Sequence, residues 1–390
     1  MLNGPFSPWP SYDQEEKQAV LSVLDSNQVN YWTGNQARQF EQEFAAYFGC
    51  EYAVAVMNGT VALDLCWHAL ALPAGSEVIV TSRTFLASVS SIVLAGLMPV
   101  FADVDADTQN ISAETIRKLI TPDTSAILCV HLGGWPCEMD EIMALAAEFN
   151  LKVVEDCAQA HGAKYKGRSV GSIGHMAAWS FCQDKIMTTG GEGGMVTTND
   201  KALWEKAWSF KDHGKSYTAV YQQQHPPGFR WLHESFGTNW RLTEMQAVIG
   251  RCQLKKMPAW TQRRNQVGTR IQQAASNAGL YVPEIPGHIL HGFYKCYAFV
   301  NPDNLKSGWD RDRISDEINR RDVPCFSGSC SEVYLEKAFD NTNLRPQQAL
   351  PNAHQLGLTS LMFLCHPTLN DQEVAKTCEV ISSVMQEARR

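Results

Sequence analysis

From about residue 52 to residue 200 the chain alternates short apolar runs with stretches of helical periodicity. That alternation restricts the fold more than any other feature. Strands that are apolar along their whole length must be covered on both faces, and helices in the connections supply the cover, so the pattern predicts a βαβ sheet with helices on either side. Glu77-Val78-Ile79-Val80, Pro99-Val100-Phe101-Ala102 and Ala126-Ile127-Leu128-Cys129-Val130 read as strands, with helices over 87–95 and 139–149. The run 151–156 forms a further strand that ends in Glu155-Asp156. A sheet of this kind places its ligand site at the carboxyl ends of its strands.

Beyond about residue 240 the pattern changes. Long helical stretches over 243–273 and 371–389 surround a β-like run at 294–300, and 215–234, with three glutamines and Pro226-Pro227-Gly228, reads as a long surface loop. We expect residues 1–250 to form an N-terminal arm and a large α/β domain, and 251–390 a smaller C-terminal α+β domain. The first thirty or so residues are expected to pack on the large domain. At 390 residues, 44% hydrophobic and 19% charged, the chain is long and apolar enough to bury two cores.

Charge and cysteine usage narrow the function class. A formal net charge of −8 argues against a duplex nucleic acid partner, whose binding rests on clustered Lys and Arg. The start lacks a basic segment followed by an apolar run, and no stretch approaches the roughly 18 apolar residues that span a membrane, so a cytoplasmic protein without membrane contact is expected. The twelve cysteines are scattered, with Cys325 and Cys330 the nearest pair and no C-x-x-C among them. Reduced core thiols are expected, with neither a zinc ribbon nor any other metal site.

The chemistry concentrates in a few segments. Ser180-Phe181-Cys182-Gln183-Asp184-Lys185 precedes Gly190-Gly191-Glu192-Gly193-Gly194. Glycines let a backbone approach a flat cofactor closely, and a buried lysine beside them gains nucleophilicity as its pKa falls. In isolation such a lysine is more often a solvated surface residue. Asp156, at a strand end, can pair with a ring nitrogen or can simply close a loop, and Gln159 and His161 share that ambiguity. Asn58-Gly59-Thr60 opens a helical pattern, which suits an anion and equally suits plain capping. Phe85 can stack on a ring, although core packing is its commoner fate.

Taken in order, Asn58-Gly59-Thr60, Thr84-Phe85, Glu155-Asp156-Cys157-Ala158-Gln159-Ala160-His161-Gly162, Ser180-Phe181 with Lys185, Glu192-Gly193-Gly194, His213-Gly214, 237–244 and His366-Pro367 resemble the DegT/StrS family of sugar aminotransferases. The resemblance implies a fold-type I, pyridoxal 5′-phosphate-dependent homodimer with two sites at the subunit interface. It implies that Lys185 carries the cofactor as a Schiff base and moves the proton, that Asp156 holds the pyridinium nitrogen, and that Gln159 and Phe85 flank the ring. Gly59, Thr60 and Ser180 would grip the phosphate, and Asn239 would reach it from the other subunit. Glutamate would donate the amino group, and a keto sugar, most readily a nucleotide-linked one, would accept it for a lipopolysaccharide, a surface glycan or another amino-sugar product. Tyr31-Trp32 and the long 215–234 loop depart from the family pattern where the sugar is handled, so a free keto sugar acid such as an oxidised octulosonate is the alternative acceptor. A dehydratase of the family would carry histidine in place of Lys185, a regulator with this fold would carry an added DNA-binding module, and a nicotinamide enzyme would show G-x-G-x-x-G after its first strand.

Overall fold

The structure, a computed structural model, describes residues 4–390. Two helices, α1 (Gln14–Ser26) and α2 (Gln36–Phe48), precede the alternating region. That region runs β1 (Tyr52–Val56), α3 (Gly59–Leu70), β2 (Glu77–Thr81), α4 (Leu86–Leu94), β3 (Met98–Ala102), α5 (Ala113–Arg117), β4 (Thr124–Val130), α6 (Met139–Glu148) and β5 (Lys152–Asp156). A hairpin of β6 (Lys164–Tyr165) and β7 (Arg168–Ser169) leads to β8 (Met176–Ser180), β9 (Gly194–Thr198), α7 (Lys201–Phe210) and α8 (Tyr217–Tyr221). After the long α9 (Glu244–Asn277) come β10 (Ile289–Leu290), β11 (Cys296–Phe299), α10 (Arg311–Arg320), β12 (Cys325–Phe326), α11 (Pro351–Thr359), β13 (Ser360–Phe363) and α12 (Asp371–Ala388).

Seven strands form one sheet in the order β1-β9-β8-β5-β4-β2-β3. The pairs β2–β3, β2–β4, β4–β5 and β5–β8 are parallel, and only β9 runs against its neighbours. The sheet is therefore mixed and mostly parallel, as expected of the α/β class. The expected strands are buried almost without interruption, because α3, α4 and α7 cover one face while α2 and the first half of α9 help to cover the other.

A second sheet, β11-β13-β12, is antiparallel and packs with α10, α12 and the later part of α9 into its own core. The helix α9 serves both cores: Ala247, Leu254 and Met257 belong to the first, and Val267, Ile271 and Ala275 to the second. Residue 250 thus lies inside one continuous helix of 34 residues, begun by a Thr243–Gln246 capping box.

Two expectations are corrected. The arm packs on the large domain only in part: Trp9 donates to the Lys185 carbonyl and Tyr31 lies in the first core, and α1 lies along α9, which serves both cores, but Phe6 is buried in the second core and the Ser7 amide and hydroxyl donate to Glu373 of α12. An amphipathic arm follows whichever apolar surface is open, and the α9–α12 seam offers one. The 215–234 segment is not wholly loop either, since Tyr217 and Tyr221 of α8 pack on Trp208. Among the described residues, no helix is long and apolar enough to cross a membrane.

Candidate active site

The parallel strands bring their carboxyl ends to one edge of the sheet, and the reversed strand β9 brings its amino end there. Register makes this explicit. Asp156 pairs with Val130 and Ala178, while Gly194 pairs with both Ser180 and Val56. Segments separated by more than 130 residues are thereby joined where the helix α3 begins.

A cavity of about 680 Å³ opens at this edge. Gly59, Thr60, Phe85, Asp156, Gln159, Ser180 and Lys185 all line it. Asn239 does not; it is exposed, and a single bridge ties it to Asp212.

At the start of α3, the Asn58 side chain caps the helix by accepting the Val61 amide at 2.9 Å, which leaves earlier amides open to an anion. Gly59 is required by contact. A Cβ there would stand 2.5 Å from Ser180 Cβ, and one at Gly194 would stand 2.3 Å from the Asn58 carbonyl oxygen. The Ser180 hydroxyl accepts the Cys182 amide at 3.3 Å. The result is a narrow cup of backbone amides and hydroxyls with a shape suited to a phosphate.

Asp156 is buried at the end of β5. Its Oδ2 accepts the Ser88 hydroxyl at 2.9 Å and its Oδ1 the Ala158 amide at 3.0 Å. Burial raises its carboxyl above the usual range despite these bonds, the Lys185 charge and the nearby His131 ring. A cationic N–H beside it reverses that penalty. Glu155, its neighbour on the opposite face of the strand, does different work. Its oxygens accept the Gly171, Ile173 and Gly174 amides and the His131 ring. Because His131 Nδ1 accepts the Cys137 amide, the Nε2 proton points to Glu155. His131, Glu155 and Cys157 have metal-like proximity, yet the imidazole and carboxylate are already committed to this clasp. Burial alone would raise Glu155; His131 and the amides outweigh it and leave the carboxyl below its usual range.

Gln159 Oε1 accepts the Gly133 amide at 2.8 Å, and the Gly133 carbonyl in turn accepts the Tyr294 amide at 2.9 Å. This chain ties the floor of the cavity to the segment that leads into β11. Phe85, for which core packing is the commoner fate, is 71% exposed and stands at the cavity rim. The Lys185 ammonium lies 5.0 Å from the Tyr294 ring centre, and the neighbouring Asp184 carboxylate accepts the Tyr294 hydroxyl. Burial opposes ionisation of Asp184, but Lys185 and that hydroxyl more than offset it. In the turn that follows, Gly191 at φ 121° occupies backbone space that residues with a Cβ avoid. His161 is buried with neither ring nitrogen hydrogen-bonded and does not line the cavity.

Sequence reasoning quoted Asp184 beside Lys185 without giving it a role, and missed Ser88, Tyr294 and Lys295 in this cavity. Of the three missed, only Lys295 carried a signal, as a charge set within the apolar run Tyr294-Lys295-Cys296-Tyr297.

Residues 10–382 match the model of the DegT/DnrJ/EryC1/StrS aminotransferase family. The chain belongs to that family. It is 35% identical over 373 residues to a GDP-perosamine synthase of Escherichia coli O157:H7, covering 96% of each chain. It is 37% identical to a dTDP-3-amino-3,6-dideoxy-alpha-D-galactopyranose transaminase of Aneurinibacillus thermoaerophilus, covering 95% of each. The crystal structure of an aminotransferase from Psychrobacter cryohalolentis, 61% identical, superimposes with a TM-score of 0.97 over 98% of this chain and 99% of that one. As a DegT/StrS member the protein is an enzyme of the transaminase class, and the motif resemblance extends over nearly its whole length.

Proposed function

We propose that this DegT/StrS enzyme uses pyridoxal 5′-phosphate to move an amino group from an amino acid, L-glutamate, to a keto sugar linked to a nucleoside diphosphate. The amino sugar formed would enter a surface glycan or lipopolysaccharide. The observation that carries the reading is the convergence on one cavity of an amine (Lys185), a buried carboxylate with a raised pKa (Asp156) and the Gly59–Ser180 cup, which no Cβ can enter. These residues fit the cofactor: the cup suits its phosphate, Asp156 its ring nitrogen, Gln159 and Phe85 the ring, and Lys185 its aldehyde carbon. The bound cofactor supplies an electron sink that acidifies the substrate's Cα–H bond.

The protein's own part is proton handling and orientation. Lys185 Nζ takes up the proton leaving the donor's Cα and returns one to the carbon that becomes the amino-bearing carbon of the sugar. Asp156 keeps the ring nitrogen protonated through a charge-assisted hydrogen bond, and Ser88 with the Ala158 amide fixes the carboxylate plane. The balance is simple: amino acid plus keto sugar gives keto acid plus amino sugar.

The nucleotide-linked acceptor is supported by the amino sugars in the names of the two relatives above, which carry GDP and dTDP. A free keto sugar acid is the second reading, and the observation in its favour is the Lys295 ammonium in the cavity wall, which has no ion-pair partner among the described residues. We also propose that the active unit is a homodimer in which Asn239, exposed and outside its own chain's cavity, serves the phosphate of the other protomer. The test incubates the cofactor-loaded enzyme with glutamate and a panel of GDP-, dTDP- and UDP-linked keto sugars and free keto sugar acids. Mass spectrometry reads the amino sugar and 2-oxoglutarate. Formation of neither from any acceptor overturns the proposal.

A further inference from the structure

Lys295 enters the cavity from the second core, immediately before β11. Its neighbours Tyr294, Cys296 and Tyr297 are all buried, and its main chain is held by the Gly133 carbonyl, the same group that follows the Gln159 contact. The backbone that carries the side chain is thus fixed at the wall. Its ammonium stands 4.8 Å from the centre of the Tyr294 ring, and the Lys185 ammonium stands 5.0 Å from the same centre. One aromatic ring therefore sits beside both amines.

Lys295 has no ion-pair partner among the described residues. Asp184, the acid whose charge bears on it most, is already occupied by the Tyr294 hydroxyl and by the charge of Lys185. Burial pushes the Lys295 ammonium below its ordinary range, with Arg264 and Lys185 adding repulsion. An enclosed ammonium without a counter-ion is costly and remains only where something else supplies the negative charge. The cup at Gly59 and Ser180 belongs to the large sheet, whereas Lys295 lines the cavity from the side of the second sheet, together with Ser329, Cys330 and Met362 of β13. Lys295 therefore reaches the cavity from a different element than the one that forms the phosphate cup.

We propose that Lys295 is the anchor for a substrate carboxylate, held close to the carbon that loses or gains the amino group. The proposal rests on the aminotransferase reading above and adds the chemical class of what enters the site. Two sources share that chemistry: the carboxylates of the donor amino acid, and the carboxylate of a keto sugar acid. An ammonium on a flexible stem is a point charge that accepts either without demanding one geometry.

The test uses the cofactor-loaded enzyme with Lys295→Gln and Lys295→Arg. Calorimetry measures glutarate, a dicarboxylate that cannot react. Rapid-mixing absorbance measures glutamate, and product formation compares a neutral with a carboxylated keto sugar. We expect Lys295→Gln to weaken glutarate and glutamate by about tenfold or more, the worth of one charged hydrogen bond, with Lys295→Arg recovering most of it. If the dicarboxylates are unaffected and only the carboxylated sugar's KM rises, the anchor serves the sugar. A change below about twofold for every carboxylate overturns the proposal. In the wild type, glutarate should also shield Lys295 from an amine-acetylating reagent, read by peptide mass spectrometry. That measurement decides the matter if the Gln variant fails to fold, and undiminished labelling counts against the anchor. If glutarate binding depends on Lys295 while no amino acid exchanges its amino group, the aminotransferase reading falls and the anchor stands.

Discussion

The indole Nε1 of Trp9 donates to the main-chain carbonyl of Lys185 at 2.8 Å, joining residues 176 apart in the sequence. The same indole packs edge-on against Trp260 and lies 5.0 Å from the Arg264 guanidinium. The arm therefore braces the turn that carries the proposed catalytic lysine. Trp9→Phe keeps much of the ring packing and removes the donor, so it should cost about 1 kcal/mol, while Trp9→Ala should cost about 3–5 kcal/mol. Denaturant unfolding checks both, and equal losses would show that the hydrogen bond contributes nothing separable.

Lys185→Ala should abolish the visible absorbance of the lysine-bound cofactor and lower turnover by at least about 10²-fold, with the melting curve preserved. Asp156→Asn keeps the volume and a partner for Ser88 but removes the charge. It should lower kcat by about 10²-fold or more while stability changes little. Undiminished turnover in the Asn variant would leave Asp156 as a loop-closing residue.

Gly59→Ala places a methyl 2.5 Å from Ser180 Cβ, so the first turn of α3 must move off the sheet edge. Overpacking of this kind costs about 1–3 kcal/mol, and here the loss should fall mainly on cofactor affinity. Equilibrium dialysis against pyridoxal phosphate measures it. Wild-type retention of the cofactor would mean that the cup lies elsewhere.

Three buried histidines set an acid limit on stability. Burial, the foremost cause, holds His161, His291 and His366 down to about 3, against about 6.5 in an unfolded chain. These are bases with depressed folded pKa values. Their contribution is complete above 6.5 and disappears as pH falls from there towards 3, because the unfolded chain takes up protons that the fold refuses. At pH 5.5 each accounts for about 1.4 kcal/mol, so the three should together remove about 4 kcal/mol relative to pH 8. Denaturant unfolding at the two pH values measures this, and a flat profile would mean that the rings are accessible to protons in the fold.

If Asn239 serves the partner's site, a co-expressed mixture of Lys185→Ala and Asn239→Ala chains should regain activity through heterodimers that keep one intact site. Neither homodimer should match it. Verified heterodimers without activity, or a fully active monomer at equilibrium, would remove the shared-site model.

Much of the site was legible because its parts are local. A charged or polar residue ending an apolar strand, as Asp156 does on β5 and Ser180 on β8, announces itself in a short window, and Asn58-Gly59-Thr60 announces a helix start. Ser88 was not legible. It lies on the buried side of α4, and nothing in its neighbours says that the helix faces a carboxylate 68 residues away. By residue type alone Phe85 leaned to the core, and only the family resemblance set it against the ring, because hydrophobicity gives no information about which apolar side chains a fold leaves at the rim of a cavity.

By itself the sequence determined the strand and helix periodicities, the two cores and the segments able to carry chemistry, since these follow from alternation, capping and charge over a few residues. Tertiary structure decided which segments meet. The insertion of β9 between β1 and β8 brings Gly194 against both Ser180 and Val56 and so makes the cup, and the segment leading into β11 brings Lys295 to the Tyr294 ring that also faces Lys185. Those pairings are non-local. Their free energy comes from strand registers and buried surfaces far apart in the chain, which no local window of sequence contains.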